Sequence, residues 1–275
     1  MHAPLYPHST VEAALSRGIS EAPSSPWVQQ LTPARMRFHL ATSPTTAPTV
    51  RPAVGFDTAM AGWHDIDVPL SWQMDPEVAD EPLYTNTRYA LPGIDSAAAL
   101  RTFPVPHDSD NPVGSYQTTF TLPKSWNKRK VLLQIDGAEP NVAVWVNGMP
   151  IGYGQDSRLP HEFDITHAVR TGVVGADGQP ARDVSSSAHT LSLQIAKWCD
   201  GCYLEKQDAW TLSGLHRHLR LLSKPLSYGI SDYSFVTTHV ETSGDDHADE
   251  NGASSSTSST SAKATLRVRC TGDGV

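Results

Sequence analysis

Disulfide frameworks, membrane spans and basic surfaces are all missing from this sequence. Its 275 residues hold 3 cysteines, an odd number that cannot complete a disulfide framework. No stretch approaches the ~20 apolar residues needed to cross a bilayer. Asp and Glu total 29 against 21 Lys and Arg, a net charge of -8 that repels phosphate backbones and argues against nucleic acid as a partner. The segment Met1–Thr10 has neither a basic n-region nor an apolar h-region, and no Asn-x-Ser/Thr sequon occurs. A secretory signal is therefore not expected, and a cytoplasmic location is. Long helices are disfavoured by 21 prolines and 19 glycines. What remains is 39% hydrophobic and 18% charged, enough to bury a core, which excludes a wholly disordered or fibrous chain.

The dominant pattern is short strand alternation. Met36, Phe38 and Leu40 alternate, as do Tyr116, Phe120 and Leu122. Val131–Asp136 is a more fully buried run. Val142, Val144 and Val146 fall on one side of a strand and Trp145 on the other. Leu191, Leu193 and Ile195 share a face, and His216–Leu222 predicts a further strand. Turn signals separate these runs, and Asn147-Gly predicts a tight hairpin with positive φ at the glycine. No regular alternation of helix and strand appears. The expected fold is all-β: a jelly-roll sandwich over 31–224, preceded by a flexible arm, 1–30, that is rich in Pro and Ser.

Beyond Lys224-Pro-Leu, alternation resumes at Ile230–Val240 and again at Ala264–Cys270. Between them, 243–261 is acidic and then almost pure Ser/Thr, a composition expected to be disordered. Two strands do not make an independently stable sandwich, so 225–275 is expected to be a second domain cut short.

From Asp67-Val-Pro-Leu-Ser-Trp-Gln-Met onward the chain resembles the N-terminal sugar-binding domain of the large bacterial-type β-galactosidases of glycoside hydrolase family 2. The similarity continues through Pro82-Leu-Tyr-Thr-Asn-Thr-Arg-Tyr and Asn111-Pro-Val-Gly-Ser-Tyr. It is strongest from Trp145-Val-Asn-Gly through Gly152-Tyr-Gly-Gln-Asp-Ser-Arg-Leu-Pro to Phe163-Asp, and extends over Lys197-Trp-Cys-Asp-Gly-Cys-Tyr-Leu-Glu-Lys-Gln-Asp-Ala-Trp. The resemblance implies a jelly roll, then an incomplete immunoglobulin-like β-sandwich, with a (β/α)₈ catalytic barrel absent from this chain. It implies a galactoside as substrate and a homo-oligomeric full-length enzyme. The family usually has Ser where Cys199 and Cys202 stand. The inserts around 172–187 and in the Ser/Thr-rich loop are unusual for it.

By resemblance, Asn86 and Asp200 are substrate-binding residues, and Asp200 also helps hold a sodium ion, a hard cation suited to carboxylate oxygen. The remaining sodium ligands, and those for the magnesium of the full-length enzyme, would lie outside this chain. A carboxylate accepts hydroxyl protons and a carboxamide both donates and accepts, which suits sugar hydroxyls. Both residues are also ordinary turn-formers whose side chains bond their own backbone. No catalytic residue is assigned. Glu205, Asp208 and Trp210 read as residues facing the missing barrel, with Trp210 as a packing anchor and an apolar patch around Trp210 and Tyr203. Cys199-x-x-Cys202 lacks a second ligand pair for zinc and a βαβ context for redox work, so it reads as two small loop residues. Asp156 and Arg158 read as a structural ion pair. His216 and His218 read as outward-facing residues of one strand. Rival readings are a stand-alone carbohydrate-binding module or inactive pseudoenzyme, and a structural fragment that docks on a separate chain.

Overall fold

A computed structural model describes residues 6–10, 12–13, 25–51, 54–86, 111–171, 188–206, 208–226, 234–241 and 261–268. The chain divides into two compact units, Met1–Leu226 and Ser227–Val275.

The first unit is all-β and is built on two antiparallel sheets. In the larger, β2 (Ala34–Ala41), β3 (His64–Val68), β6 (Val113–Phe120), β8 (Asn141–Val146), β9 (Met149–Gln155) and β11 (His189–Ala196) lie in the order β3-β2-β6-β11-β8-β9. The smaller joins β1 (Val28–Gln30), β7 (Lys130–Ile135), β10 (His161–Asp164) and β14 (Leu219–Lys224) as β1-β14-β7-β10. Sequence neighbours are often not sheet neighbours, which is the jelly-roll way of closing two sheets over one core.

Period-two alternation decides which side chains enter that core. Met36 and Phe38 of β2, Tyr116 and Phe120 of β6, Val142, Val144 and Val146 of β8, and Leu191, Leu193 and Ile195 of β11 are all buried. They join Leu133 and Ile135 of β7 and Leu219 and Leu221 of β14 in a single cluster. At one end Trp72 is fully buried and lies flush on Gly114, where an added Cβ would stand 2.7 Å from the indole ring. The β8–β9 turn has Asn147 at φ 51 and Gly148 at φ 71, so both central residues, not the glycine alone, take the left-handed conformation.

Two boundaries differ from the sequence reading. Val28–Gln30, read as the end of a flexible arm, is an edge strand with Val28 opposite Leu222. Three residues are too few to show alternation. The strand expected from His216 begins only at Leu219, because His216–His218 form the irregular link to β14 from β13 (Gly214–Leu215), which pairs with β4 (Leu70–Ser71).

In the second unit the described residues form one antiparallel hairpin, β15 (Ser234–Glu241) with β16 (Ser261–Val268). Ser261, taken as the end of the Ser/Thr-rich loop, is the first residue of β16. The rest of that loop and the insert at 172–187 lie outside the described residues. No helix among the described residues is long and apolar enough to cross a membrane.

Candidate functional site

Asp200 is exposed in the turn that leads from β11 to the single-turn helix α1 (Cys202–Glu205). Its Oδ1 accepts the Gly201 N–H at 3.0 Å, and its carbonyl accepts the Tyr203 N–H at 3.2 Å. One oxygen thus keeps the turn, as an ordinary turn-former would, while a carboxylate has capacity for further donors. Beside the turn stand Tyr153 and Gln155, on the same face of the edge strand β9. Gln155 Nε2 donates to the Tyr153 hydroxyl at 2.9 Å, and Tyr153 is 56% exposed. Burial first, then the nearby Cys199, Asp200 and Cys202, push the Tyr153 hydroxyl above its ordinary range. Sequence alone gives neither residue a role. Their i, i+2 spacing next to a turn-forming Asp was the available signal.

Asn86 is exposed in the bend after β5 (Leu83–Thr85). β5 pairs with β12 (Ala209–Thr211), setting Thr85 opposite Ala209 and Tyr84 opposite Trp210. The Tyr84 hydroxyl donates to Asp208 Oδ1 at 2.7 Å, and the Tyr84 and Trp210 rings lie 5.4 Å apart. Asn86 and Asp200 are therefore mounted on one short stretch, Asp200 at its start and Asn86 through strand pairing at its end. No hydrogen bond joins their side chains among the described residues.

Buried polar groups hold that stretch in place. Lys206, 2% exposed, reaches Glu139, 3% exposed, at 3.3 Å and donates to the Leu212 carbonyl at 2.8 Å. Lys197 pairs with Asp80, which also accepts from Trp72 Nε1 at 2.8 Å and Gln73 Nε2 at 2.9 Å. Asn111 grips Trp198 at both ends, donating to its carbonyl at 3.1 Å and accepting its N–H at 2.9 Å. A site seated on such a shell is preorganised.

Three expectations need correction, and one residue gains a local partner: Glu205 is half-buried, and its carboxylate accepts from the Ser157 hydroxyl and, at 3.2 Å, from the Ser157 N–H. Asp156 and Arg158 are not an ion pair. Asp156 Oδ1 accepts the N–H groups of Arg158 and Leu159, while the Arg158 guanidinium lies 3.6 Å from Glu139. Tyr203 is buried, so the exposed apolar surface near Trp210 comprises Tyr84 and Leu83 instead. His216 and His218 do not face outward together. His218 Nδ1 meets the Thr32 hydroxyl at 3.1 Å, and both ring nitrogens of His216 are buried without a hydrogen-bond partner.

Burial, then the positive charges of Arg158 and Arg217, lower His216 from its ordinary 6.5 to about 4. The fold thus favours the neutral ring. Its contribution is complete above pH 6.5 and is lost as pH falls toward about 4, because the unfolded chain binds that proton more readily. Over this range the melting temperature of the parent should fall more steeply than that of His216→Asn. Parallel slopes in thermal melts would contradict this.

Among the described residues no three His, Cys, Asp or Glu side chains gather as a metal cluster. Asp200 could offer a hard cation one exposed carboxylate, which fits one ligand of a sodium site and not a complete one.

Two antiparallel sheets closed over one buried core place the first unit among the all-β sandwich domains. The model of the sugar binding domain of glycosyl hydrolases family 2 matches residues 33–225, and the chain belongs to that family. The β-galactosidase of Psychromonas ingrahamii is 38% identical over 225 residues, covering 82% of this chain and 18% of its own length. That of Enterobacter cloacae is 35% identical over 202 residues, covering 73% of this chain and 17% of its own. The chain thus spans less than a fifth of the length of the curated relatives it matches. Among solved structures, Bacteroides uniformis β-glucuronidase 2 aligns over 78% of this chain and 20% of its own at 18% identity and a TM-score of 0.49.

Proposed function

We propose that this chain is the sugar-binding wall of a β-galactosidase, with Asp200 and Asn86 accepting from and donating to galactoside hydroxyls. The observation that carries this reading is Asp200 itself, an exposed carboxylate on a turn locked from beneath by buried charges. Asp200 would also supply one sodium ligand, the others and the magnesium ligands coming from elsewhere in the full-length enzyme. Retaining glycosidases need two carboxyl groups ~5–5.5 Å apart across the scissile bond. In this reading they reside on a catalytic barrel outside this chain, the hairpin β15–β16 begins an immunoglobulin-like module, and the whole enzyme is a cytoplasmic homo-oligomer.

The test is galactose titration of the chain by NMR. Galactose should shift the resonances of Asp200, Tyr153 and Gln155, and Asp200→Ala should weaken binding roughly ten- to a hundredfold, the worth of hydrogen bonds to a charged group. The chain should not turn over o-nitrophenyl galactoside, because hydroxyl contacts do not replace a nucleophile and a general acid. Sustained turnover, or unchanged binding in the variant, would refute the reading.

The exposed Tyr84–Trp210 stack favours a second reading, a stand-alone carbohydrate-binding module that stacks a sugar on aromatic rings. Loss of galactose binding in Trp210→Ala but not in Asp200→Ala would select it.

A further inference from the structure

We propose that Cys199 and Cys202 form a thiol–disulfide exchange site, in which Cys199 attacks a small-molecule disulfide and Cys202 resolves the adduct into an intramolecular bridge around Asp200. Both thiols are free, and their sulfurs stand 3.9 Å apart. A disulfide requires about 2.0 Å between sulfurs. The backbone is already closed into a single turn: the Cys202 N–H donates to the Cys199 carbonyl at 3.1 Å, and the Cys199 N–H points at Cys202 Sγ at 3.4 Å. The sequence lacks a βαβ unit, but the local arrangement is present without it, because β11 runs into a turn and Cys202 opens the short helix α1.

The two cysteines differ in the way that sequential exchange requires. Cys199 is half-buried, beside exposed Asp200, while Cys202 is fully buried. An outside disulfide therefore reaches Cys199 first, and Cys202 is held 3.9 Å from it for the second displacement.

The step balances with a small-molecule disulfide, such as oxidised glutathione, as the oxidant. The Cys199 thiolate forms a bond to one sulfur of that disulfide, its S–S bond breaks, and one thiolate leaves and takes a proton. With Cys199 capped, Cys202 gives up its proton, its sulfur displaces the second small thiol from Cys199, that thiol takes a proton as it leaves, and the protein bridge forms. The protein gives up two electrons and two protons, and the disulfide becomes two thiols.

The consequence for Asp200 rests on the galactoside reading, whereas the exchange chemistry does not, so its test uses mass alone. The full chain carrying Cys270→Ser is incubated with oxidised glutathione at neutral pH and its intact mass is measured. We expect loss of two hydrogens with no adduct retained. In that background Cys202→Ser should hold one glutathione, trapped on Cys199, and Cys199→Ser should react about tenfold or more slowly. An unreacted parent, an adduct that persists on the parent, or equal reactivity of the two single variants would overturn the proposal. A failure of galactose to bind leaves each of these outcomes readable.

Discussion

Replacing Lys206 by Met should cost the first unit about 3–5 kcal/mol, the penalty for leaving one charge of a buried pair without its partner. Lys206 and Glu139 are 2% and 3% exposed, so neither can be rescued by water where it stands. Met keeps the length of the stem, which separates the loss of charge from the loss of packing. Arg158 is a poor substitute partner, since it lies at 3.6 Å and its side chain is 59% exposed. The Leu212 carbonyl also loses a donor at 2.8 Å. Urea denaturation of the parent, Lys206→Met and the double variant with Glu139→Gln measures the effect. The double variant should recover most of the loss, because removing both charges removes the desolvation debt of each. A double variant as unstable as the single one would mean that Lys206 acts through packing.

This pair shows where sequence reading stops. The sandwich was legible because each strand advertises itself: Val142, Val144 and Val146 sit at a spacing that permits a single arrangement once one face must be dry. Asp200 was legible as a turn residue from its Gly neighbour, and as a site candidate only through the resemblance. Glu139 and Lys206, in contrast, are 67 positions apart in sequence, and nothing local marks either as buried. Long-range pairing of this kind follows from which loops the topology gathers, not from spacing. The same holds for the contact of Glu205 with Ser157, 48 positions earlier in the chain. His216 failed for a related reason. Alternation with His218 predicts a strand, but the His216 ring is packed against Gly137, where an added Cβ would meet it at 2.8 Å. The cysteine pair reads from sequence as two small loop residues, and only the turn of backbone shows how near it brings their sulfurs, 3.9 Å.

Trp72→Ala should destabilise the first unit by about 3–5 kcal/mol, the usual cost of removing a fully buried aromatic. The indole packs near Phe38, ring centres 6.2 Å apart, and its N–H donates to Asp80 at 2.8 Å. Its loss therefore opens a cavity and weakens the anchor of Lys197 together. The more discriminating measurement adds Gly114→Ala. In the parent, a Cβ at Gly114 would meet the indole at 2.7 Å and Phe38 at 2.9 Å, so Gly114→Ala alone should cost about 1–3 kcal/mol through overpacking. With the indole gone, the new methyl occupies vacated space and Phe38 gains room to move aside. The two substitutions should then be non-additive, the double variant being more stable than the sum predicts by about 1 kcal/mol or more. Chemical denaturation of the four proteins closes the cycle. Strict additivity would show that the space beside Gly114 is filled by relaxation of the surrounding strands, and that the close approach of β6 to Trp72 is not what requires glycine there.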